Sequence, residues 1–308
     1  MTHHPPIVPC LWFDNEGEEA VALYTSLFPD SAKGGVLRFG KAGQEVHGRS
    51  EGSVMSVEFR LAGRSFTALN GGPLFKFTPA ASLFVHCGSE ADVDRLWNRL
   101  VADGEVLMPL DRYEWSDRYG WLSDRYGLSW QIMLDREPRE GIEIAPSLLF
   151  TGDVAGKAEA AMHTYMDIFP ASAIVDMHRY GPGEQDHEGY VKYARFILAG
   201  RSFSIMDSSV AHGFGFTEAF SFQVLCDSQS EIDRYWEALR AGGDPAVQQC
   251  GWLKDRFGVS WPIVPSVLSR LLAGPDRAAA DRVMNALLEM GKLDIAALEA
   301  AYAGRPAA

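Results

Sequence analysis

The sharpest alternation in the chain runs from Val54 to Leu61. Met55, Val57, Phe59 and Leu61 fall on one face, and Ser56, Glu58 and Arg60 on the other. A two-residue period of this kind predicts a half-buried strand. After the Ala62-Gly63 turn, Arg64–Asn70 continues as a second strand. Upstream, Ile7–Phe13 is a short apolar run that reads as a strand. The segment from Glu16 to Phe28 instead places Ala20, Leu23, Tyr24 and Leu27 at helical spacing, with Pro29 as its stop. Val36–Phe39 reads as a weak strand and Ser82–Cys87 as a strong one. Ser89-x-x-Asp92 then opens a helix striped by Val93, Leu96, Trp97 and Leu100. Three short strands follow, the last being Leu128–Leu134.

The same order then repeats. Gly120-Trp121-Leu122-Ser123-Asp124-Arg125-Tyr126-Gly127-Leu128-Ser129-Trp130-Gln131-Ile132 returns as Gly251-Trp252-Leu253-Lys254-Asp255-Arg256-Phe257-Gly258-Val259-Ser260-Trp261-Pro262-Ile263. Tyr24-x-x-x-Phe28-Pro29 returns as Tyr165-x-x-x-Phe169-Pro170, Leu61–Phe66 returns identically at Leu198–Phe203, and Val93-Asp94-Arg95-Leu96-Trp97 matches Ile232-Asp233-Arg234-Tyr235-Trp236. The offset between copies drifts from 141 to 137, 139 and then 131, so insertions and deletions separate the matched blocks. The chain therefore divides into residues 1–137 and 143–265, joined by a charged Pro- and Gly-containing linker. Each copy is β-α-β-β-β twice over. Residues 266–308 form a helical tail outside the repeat: Val267–Ala273, Asp276–Met290, and a last segment capped by Asp294.

Composition narrows the partners. A chain of 308 residues suits two domains of about 150. A net charge of −13 with no basic stripe disfavours nucleic acid and anionic membrane. No apolar run approaches the roughly 20 residues of a membrane span. The start, with His3-His4, lacks the order of a signal peptide. The four cysteines contain no C-x-x-C, which argues against a zinc site or a disulfide framework. A reduced, cytoplasmic protein is expected, with a homodimer left open.

The repeated G-W-L-x-D-x-[FY]-G-x-S-W-[QP]-I, together with Leu69–Phe77, Cys250–Trp261 and Arg282–Ile295, resembles the PhnB-like family. Its domain is commonly labelled 3-demethylubiquinone 3-methyltransferase. The family lies in the vicinal oxygen chelate superfamily of glyoxalase I, bleomycin-resistance proteins and dioxygenases. The resemblance implies an α+β fold of tandem glyoxalase-like domains, each of two βαβββ units forming a curved mixed sheet about a cavity. In metal-using relatives, His and Glu from the first, fourth, fifth and eighth strands hold a divalent ion. Those positions map here to Pro9, Ala68, Ser82 and Gln131, and in the second copy to Pro146, Ile205, Ser221 and Pro262. None is a strong ligand, so no metal or other cofactor is expected. The methyltransferase label finds no support in a glycine-rich turn after a strand. Gly181-Pro182-Gly183 and Gly213-Phe214-Gly215 both read as loops.

The side chains expected to look into the cavity are Leu11, Phe13, Glu58, Arg60, Asn70, Phe84, His86, Ser129 and Gln131. The second copy supplies Leu148, Phe150, Arg195, Ile197, Asp207, Gln223, Leu225 and Ser260. The copies diverge at these positions, Glu58 becoming Arg195 and His86 becoming Leu225. At most one copy then keeps a given ligand or chemistry. His86 beside Glu58 is the candidate catalytic pair, with a hydrogen-bonded strand-end histidine as the plainer alternative. Asp124-Arg125 and Asp255-Arg256 fit a structural turn better than catalysis. Trp121/Trp130 and Trp252/Trp261 suit core anchoring or ligand stacking. The leading expectation is metal-free binding of a small organic molecule. The alternatives are a metal-dependent isomerase, lyase or transferase, a methyltransferase, or a duplication that only replaces the partner of a homodimer.

Overall fold

The computed structural model describes residues 6–136 and 140–305. His3-His4 and linker residues 137–139 lie outside them. Four units follow in order. Unit one holds β1 (Ile7–Phe13), α1 (Gly17–Leu27), β2 (Ala32–Arg38), a short α2 (Gln44–His47), β3 (Val54–Leu61) and β4 (Arg64–Asn70). Unit two holds β5 (Ala81–Cys87), α3 (Glu90–Leu100), β6 (Glu105–Tyr113), β7 (Ser116–Ser123) and β8 (Ser129–Leu134). Unit three holds β9 (Ile142–Phe150), α4 (Ala158–Ile168), β10 (Ala173–Arg179), β11 (Val191–Leu198) and β12 (Arg201–Asp207). Unit four holds β13 (Phe220–Cys226), α5 (Gln229–Arg240), β14 (Trp252–Lys254) and β15 (Ser260–Pro265). The tail supplies α6 (Val267–Ala273), α7 (Arg277–Leu288) and α8 (Ile295–Tyr302).

Local chemistry sets these elements. Ser89 Oγ accepts from the Asp92 amide at the start of α3, and Ser228 Oγ from the Glu231 amide at the start of α5. Glu231 also reaches back to the Asp227 amide, 2.8 Å. The starts of α1 and α4 have no such cap of their own. Asn70 Oδ1, at the end of β4, accepts from the Gly17 amide at 2.9 Å, and Asp207 Oδ1, at the end of β12, accepts from the Ala158 amide at 3.1 Å.

The strands form two curved mixed sheets. One has the order β14-β15-β13-β1-β4-β3-β2 and the other β10-β11-β12-β9-β5-β8-β7-β6. Each sheet draws one unit from each copy. In the seven-stranded sheet β1 runs antiparallel to β13, and in the eight-stranded sheet β5 runs antiparallel to β9. Sheets join the two copies; helices and their anchors hold each copy together.

That second role belongs to the repeated motif. Asp124 Oδ2 accepts from Tyr24 Oη (2.6 Å, on α1) and from Trp130 Nε1 (2.9 Å, on β8), linking the two sheets through copy one. Its Oδ1 accepts from the Tyr126 and Leu128 amides and closes the turn. Asp255 repeats every contact with Tyr165, Trp261, Phe257 and Val259. The arginines that follow are not the partners: Arg125 pairs with Glu19 and Arg256 bonds Thr164. Trp130 and Trp261 are wholly buried in the core, whereas Trp121 and Trp252 stand half-buried on the inner faces.

Unit four carries three strands where the others carry four. Eight residues fewer separate α5 from its motif than separate α3 from its own, as the offsets of 139 and 131 record. The strand equivalent to β6 is the one missing. The tail docks at that edge, where the Cys250 amide donates to Met290 O and the Gly251 amide to Gly291 O, both 2.7 Å.

Candidate functional site

Register places every inner-face side chain. In the seven-stranded sheet one row reads Glu58, Thr67, Cys10, Ser221 and Ser260 across β3, β4, β1, β13 and β15. The matching row of the eight-stranded sheet reads Arg195, Ser204, Ser147, Ser82 and Ser129. Four of the five strands in each row, the first and fourth of one copy with the fifth and last of the other, are those to which the resemblance assigns metal ligands. Thr67 Oγ1 donates to Gln223 Oε1 at 3.3 Å, and burial pushes the Cys10 thiol up to about 12. Hydroxyls, one neutral thiol and amides are weak ligands for zinc, iron, manganese or nickel. Among the described residues no group of three or more His, Cys, Asp and Glu is placed to hold an ion. The donor set does not fit the divalent ion that the fold is known to hold elsewhere.

Several expectations are corrected by register. Pro9, Ala68, Pro146 and Ile205 lie on the helix-packed side. Their neighbours Cys10, Thr67, Ser147 and Ser204 face inward instead. Phe13 packs on Phe77 and Tyr126, Phe150 on Phe216 and Phe257, and Leu11 and Leu148 join the core. Asn70 and Asp207 are the helix-start acceptors described above. These four candidates, Phe13, Asn70, Phe150 and Asp207, do not reach the cavity side. β1 and β9 are buried on both faces, so their sequences carry no alternation from which to choose a side. Glu58 and His86 are not neighbours, because β3 and β5 belong to different sheets.

The remaining candidates divide between two unlike faces. Phe84, His86, Gln131 and Arg195 lie in the eight-stranded sheet, whose inner side is filled. Phe84 stacks on His86 at 4.7 Å and meets Tyr119 and Tyr193, while Tyr113 and Trp115 cover Tyr119. Tyr119 Oη donates to Gln131 Oε1, and Gln131 Nε2 to Ser82 Oγ, both 2.8 Å. His86 Nδ1 lies 2.7 Å from Asp135 Oδ1, and its Nε2 is buried with no partner among the described residues. That pair resembles an oriented base, but Phe84 stacks on the imidazole, which is only 3% exposed.

Glu58, Arg60 and Gln223 lie in the seven-stranded sheet, whose inner side is open. A cleft of about 790 Å³ runs over it. Its floor includes Trp12, Thr67, Leu69 and Gln223, and Trp252 stands beside Trp12 at 6.0 Å. Trp12 Nε1 donates to Gly72 O at 2.7 Å, which fixes the indole. Leu268 and Leu272 of α6 and Met284, Leu287 and Leu288 of α7 form the roof. Asp281 Oδ1 on α7 accepts from the Lys41 and Ala42 amides (3.1 and 3.3 Å), so the tail bridges unit four to unit one. Trp12 and the roof were absent from the candidate set, and Trp252 entered it only as a stacking alternative to core anchoring. The signal for them was the shortened offset, which marks a missing strand, and a tail without a repeat partner.

The family model for 3-demethylubiquinone-9 3-methyltransferase matches residues 5–133 and again 142–264. Among solved structures, the PhnB protein from Bacillus cereus is 39% identical over 42% of this chain and 98% of its own, with a TM-score of 0.39. Glyoxalase I from Zea mays is 8% identical over 85% of this chain and 92% of its own, with a TM-score of 0.52, a likeness of fold alone. No curated protein matches the chain.

Proposed function

For a chain that belongs to the 3-demethylubiquinone-9 3-methyltransferase (PhnB-like) family, we propose binding of a small organic molecule in the roofed cleft, without a divalent ion. One observation carries the reading: a half-enclosed cleft of about 790 Å³ whose lining is mostly apolar, with a few neutral polar groups and charged residues at the β3–β4 hairpin end. That volume lies within the roughly 300–1,000 Å³ of small-molecule sites. Thr67 and Gln223 would orient the ligand, and Trp12 and Trp252 would stack on it. The row of Thr67, Cys10, Ser221 and Ser260 supplies neither a strong metal ligand nor a general base, and Glu58 stands at its end. Methyl transfer is disfavoured, since neither G-x-G stretch joins a strand to a helix: Gly181–Gly183 follows β10 but leads to β11, and Gly213–Gly215 lies between β12 and β13.

The test is a thermal-shift panel of aromatic and aliphatic metabolites, with S-adenosylmethionine included. It is run on the natural chain and on Leu287→Trp, which fills the roof. A ligand at a hundredfold its Kd stabilises by about 2.7 kcal/mol. The shift should vanish in Leu287→Trp. Stoichiometric zinc, iron, manganese or nickel in protein purified without added metal would overturn the metal-free reading. A shift with S-adenosylmethionine alone would restore the methyltransferase.

A further inference from the structure

The cleft is not uniform along its length. At the β3–β4 hairpin its lining holds Lys33, Arg60, Arg64 and Arg201, against a single carboxylate, Glu58. Register sets Arg60 across from Ala32 and Ser65 on the cleft side, whereas Lys33 and Arg64 belong to the alternate side and line the cleft only at its hairpin end, where the Arg64 and Arg201 charges are close enough to repel. Lys33 and Arg60 already pair with Glu18 and Asp30 at the surface. Arg201 is exposed and has no ion pair among the described residues. Arg64 is 6% exposed, donates to Ser202 O at 2.8 Å, and leaves its Nε and Nη2 with no partner. Burial, and then Arg201 beside it, pull the Arg64 guanidinium down to about 9. It therefore stays charged at neutral pH, with Glu143 the carboxylate that acts on it and no carboxylate bonded to it among the described residues. The other end carries no charge: Trp12, Leu37 and Leu69 lie on the floor, with Met284, Leu287 and Leu288 above.

From this polarity we infer that the cleft selects an amphipathic organic anion, its carboxylate at the arginine end and its apolar body beneath α7. The inference rests on the ligand-binding reading and adds the chemical class and orientation of the ligand. Ser65 marks the cationic row and Leu69 the apolar one. They are four residues apart on β4, about 13 Å at the rise of a strand. That span matches a medium-chain carboxylic acid or a bicyclic aromatic acid. The protein as a whole carries −13, so its general field repels anions. A cationic end inside an acidic protein therefore discriminates by contact, not by long-range attraction.

The experiment is isothermal titration with three probes of one length: decanoate, decanol and decyltrimethylammonium. Decanoate should bind about tenfold more tightly than decanol, the contribution of one or two partly desolvated ion pairs. That advantage should shrink in high salt. It should fall at least threefold in the double variant Arg60→Gln/Arg201→Gln, whose exposed positions leave the core untouched and Arg64 in place. Leu287→Trp should abolish binding of both decanoate and decanol. If decanol or the ammonium probe binds as well as decanoate, the anion assignment is wrong while the binding cleft stands. If decanoate binding survives Leu287→Trp unchanged, the anion sits elsewhere and the assignment is likewise wrong. Binding of none of the three overturns it too, and the broader panel then decides separately whether the cleft binds anything.

Discussion

Asp124→Ala tests whether the repeated motif works as an internal clasp. Asp124 is 3% exposed and accepts four hydrogen bonds, from Tyr24 Oη, Trp130 Nε1 and the amides of Tyr126 and Leu128. Tyr24, Trp130 and Leu128 are fully buried, so three of those donors lose their partner without gaining water. Each orphaned buried donor costs about 1–3 kcal/mol. Burial of the carboxylate itself, which raises its pKa, offsets part of that sum. A net loss of about 4 kcal/mol follows, and Asp255→Ala should match it because its contacts repeat one for one. Arg125→Ala, which removes an exposed pair with Glu19, should stay within about 0.5 kcal/mol of the natural chain. The assay is guanidinium unfolding followed by both tryptophan fluorescence and circular dichroism, reading the midpoint and slope. A loss below about 1 kcal/mol for Asp124→Ala would refute the reasoning. So would an Arg125→Ala variant as damaged as Asp124→Ala.

Asp124 and Asp255 are carboxyls whose pKa is raised by burial, so their contribution is complete when protonated and is lost as pH rises through the folded value. Asp124→Asn should therefore look more destabilising, against the natural chain, at pH 4 than at pH 7. A penalty that instead grows toward pH 7 in urea midpoints would reverse that sign. Burial pushes the Cys10 and Cys226 thiols up to about 12 and Cys87 is buried, whereas Cys250, also raised by burial, is partly exposed, so at pH 8 Cys250 should be the first thiol to react with the chromogenic disulfide DTNB. Rapid reaction of a second thiol in the native protein would contradict the packing described. Asp281→Ala removes the acceptor of the Lys41 and Ala42 amides and should speed their hydrogen exchange about tenfold, leaving β3 amides unchanged. Unaltered exchange at residues 40–43 would mean that the roof is held by other contacts.

Much of the fold was legible because its determinants are local. The 2.0-residue period of Val54–Leu61, the helical stripe of Val93, Leu96, Trp97 and Leu100, and the hydroxyl caps of Ser89 and Ser228 each specify one element without reference to another. The asymmetry of the two inner faces was half legible. Glu58 against Arg195, and His86 against Leu225, announced that the copies differ, and both pairs do face inward. The facing of β1 and β9 was not legible. Ile7–Phe13 is buried on both sides, so Pro9 and Cys10 look equally internal in sequence, and the pairing of β1 with β13, which starts 213 residues beyond Ile7 at Phe220, decides between them. Nor could a repeat show that each copy contributes one unit to each sheet, since either pairing satisfies the same internal pattern. Asn70 and Asp207 failed for a related reason. A polar side chain at a strand end suits a ligand, but the unsatisfied first amide of the next helix claimed it.

The eight residues by which unit four is shorter than unit two explain why the two inner faces differ, one plugged and one holding the cleft. In the eight-stranded sheet β6 and β7 form a hairpin that delivers Tyr113 and Trp115 onto Tyr119, and through it onto Phe84 and His86. The aromatic plug is thus made by the strand that unit four lacks. Without it, the seven-stranded sheet would end in a short β14 whose edge amides are open to another chain. The tail resolves that problem by accepting from Cys250 and Gly251, and in reaching them it also lays α6 and α7 across the inner face. Leu271, Val283, Leu293 and Leu298 make its own small core with Val264 and Leu268 of unit four and α6. The tail accordingly has two separable jobs, sealing an edge with backbone carbonyls and roofing a cleft with Leu268, Leu272, Met284 and Leu287. Removing the tail would confound them, exposing an edge and a core together. Replacing roof side chains leaves the seal intact, which is why Leu287 rather than a truncation reports on the ligand.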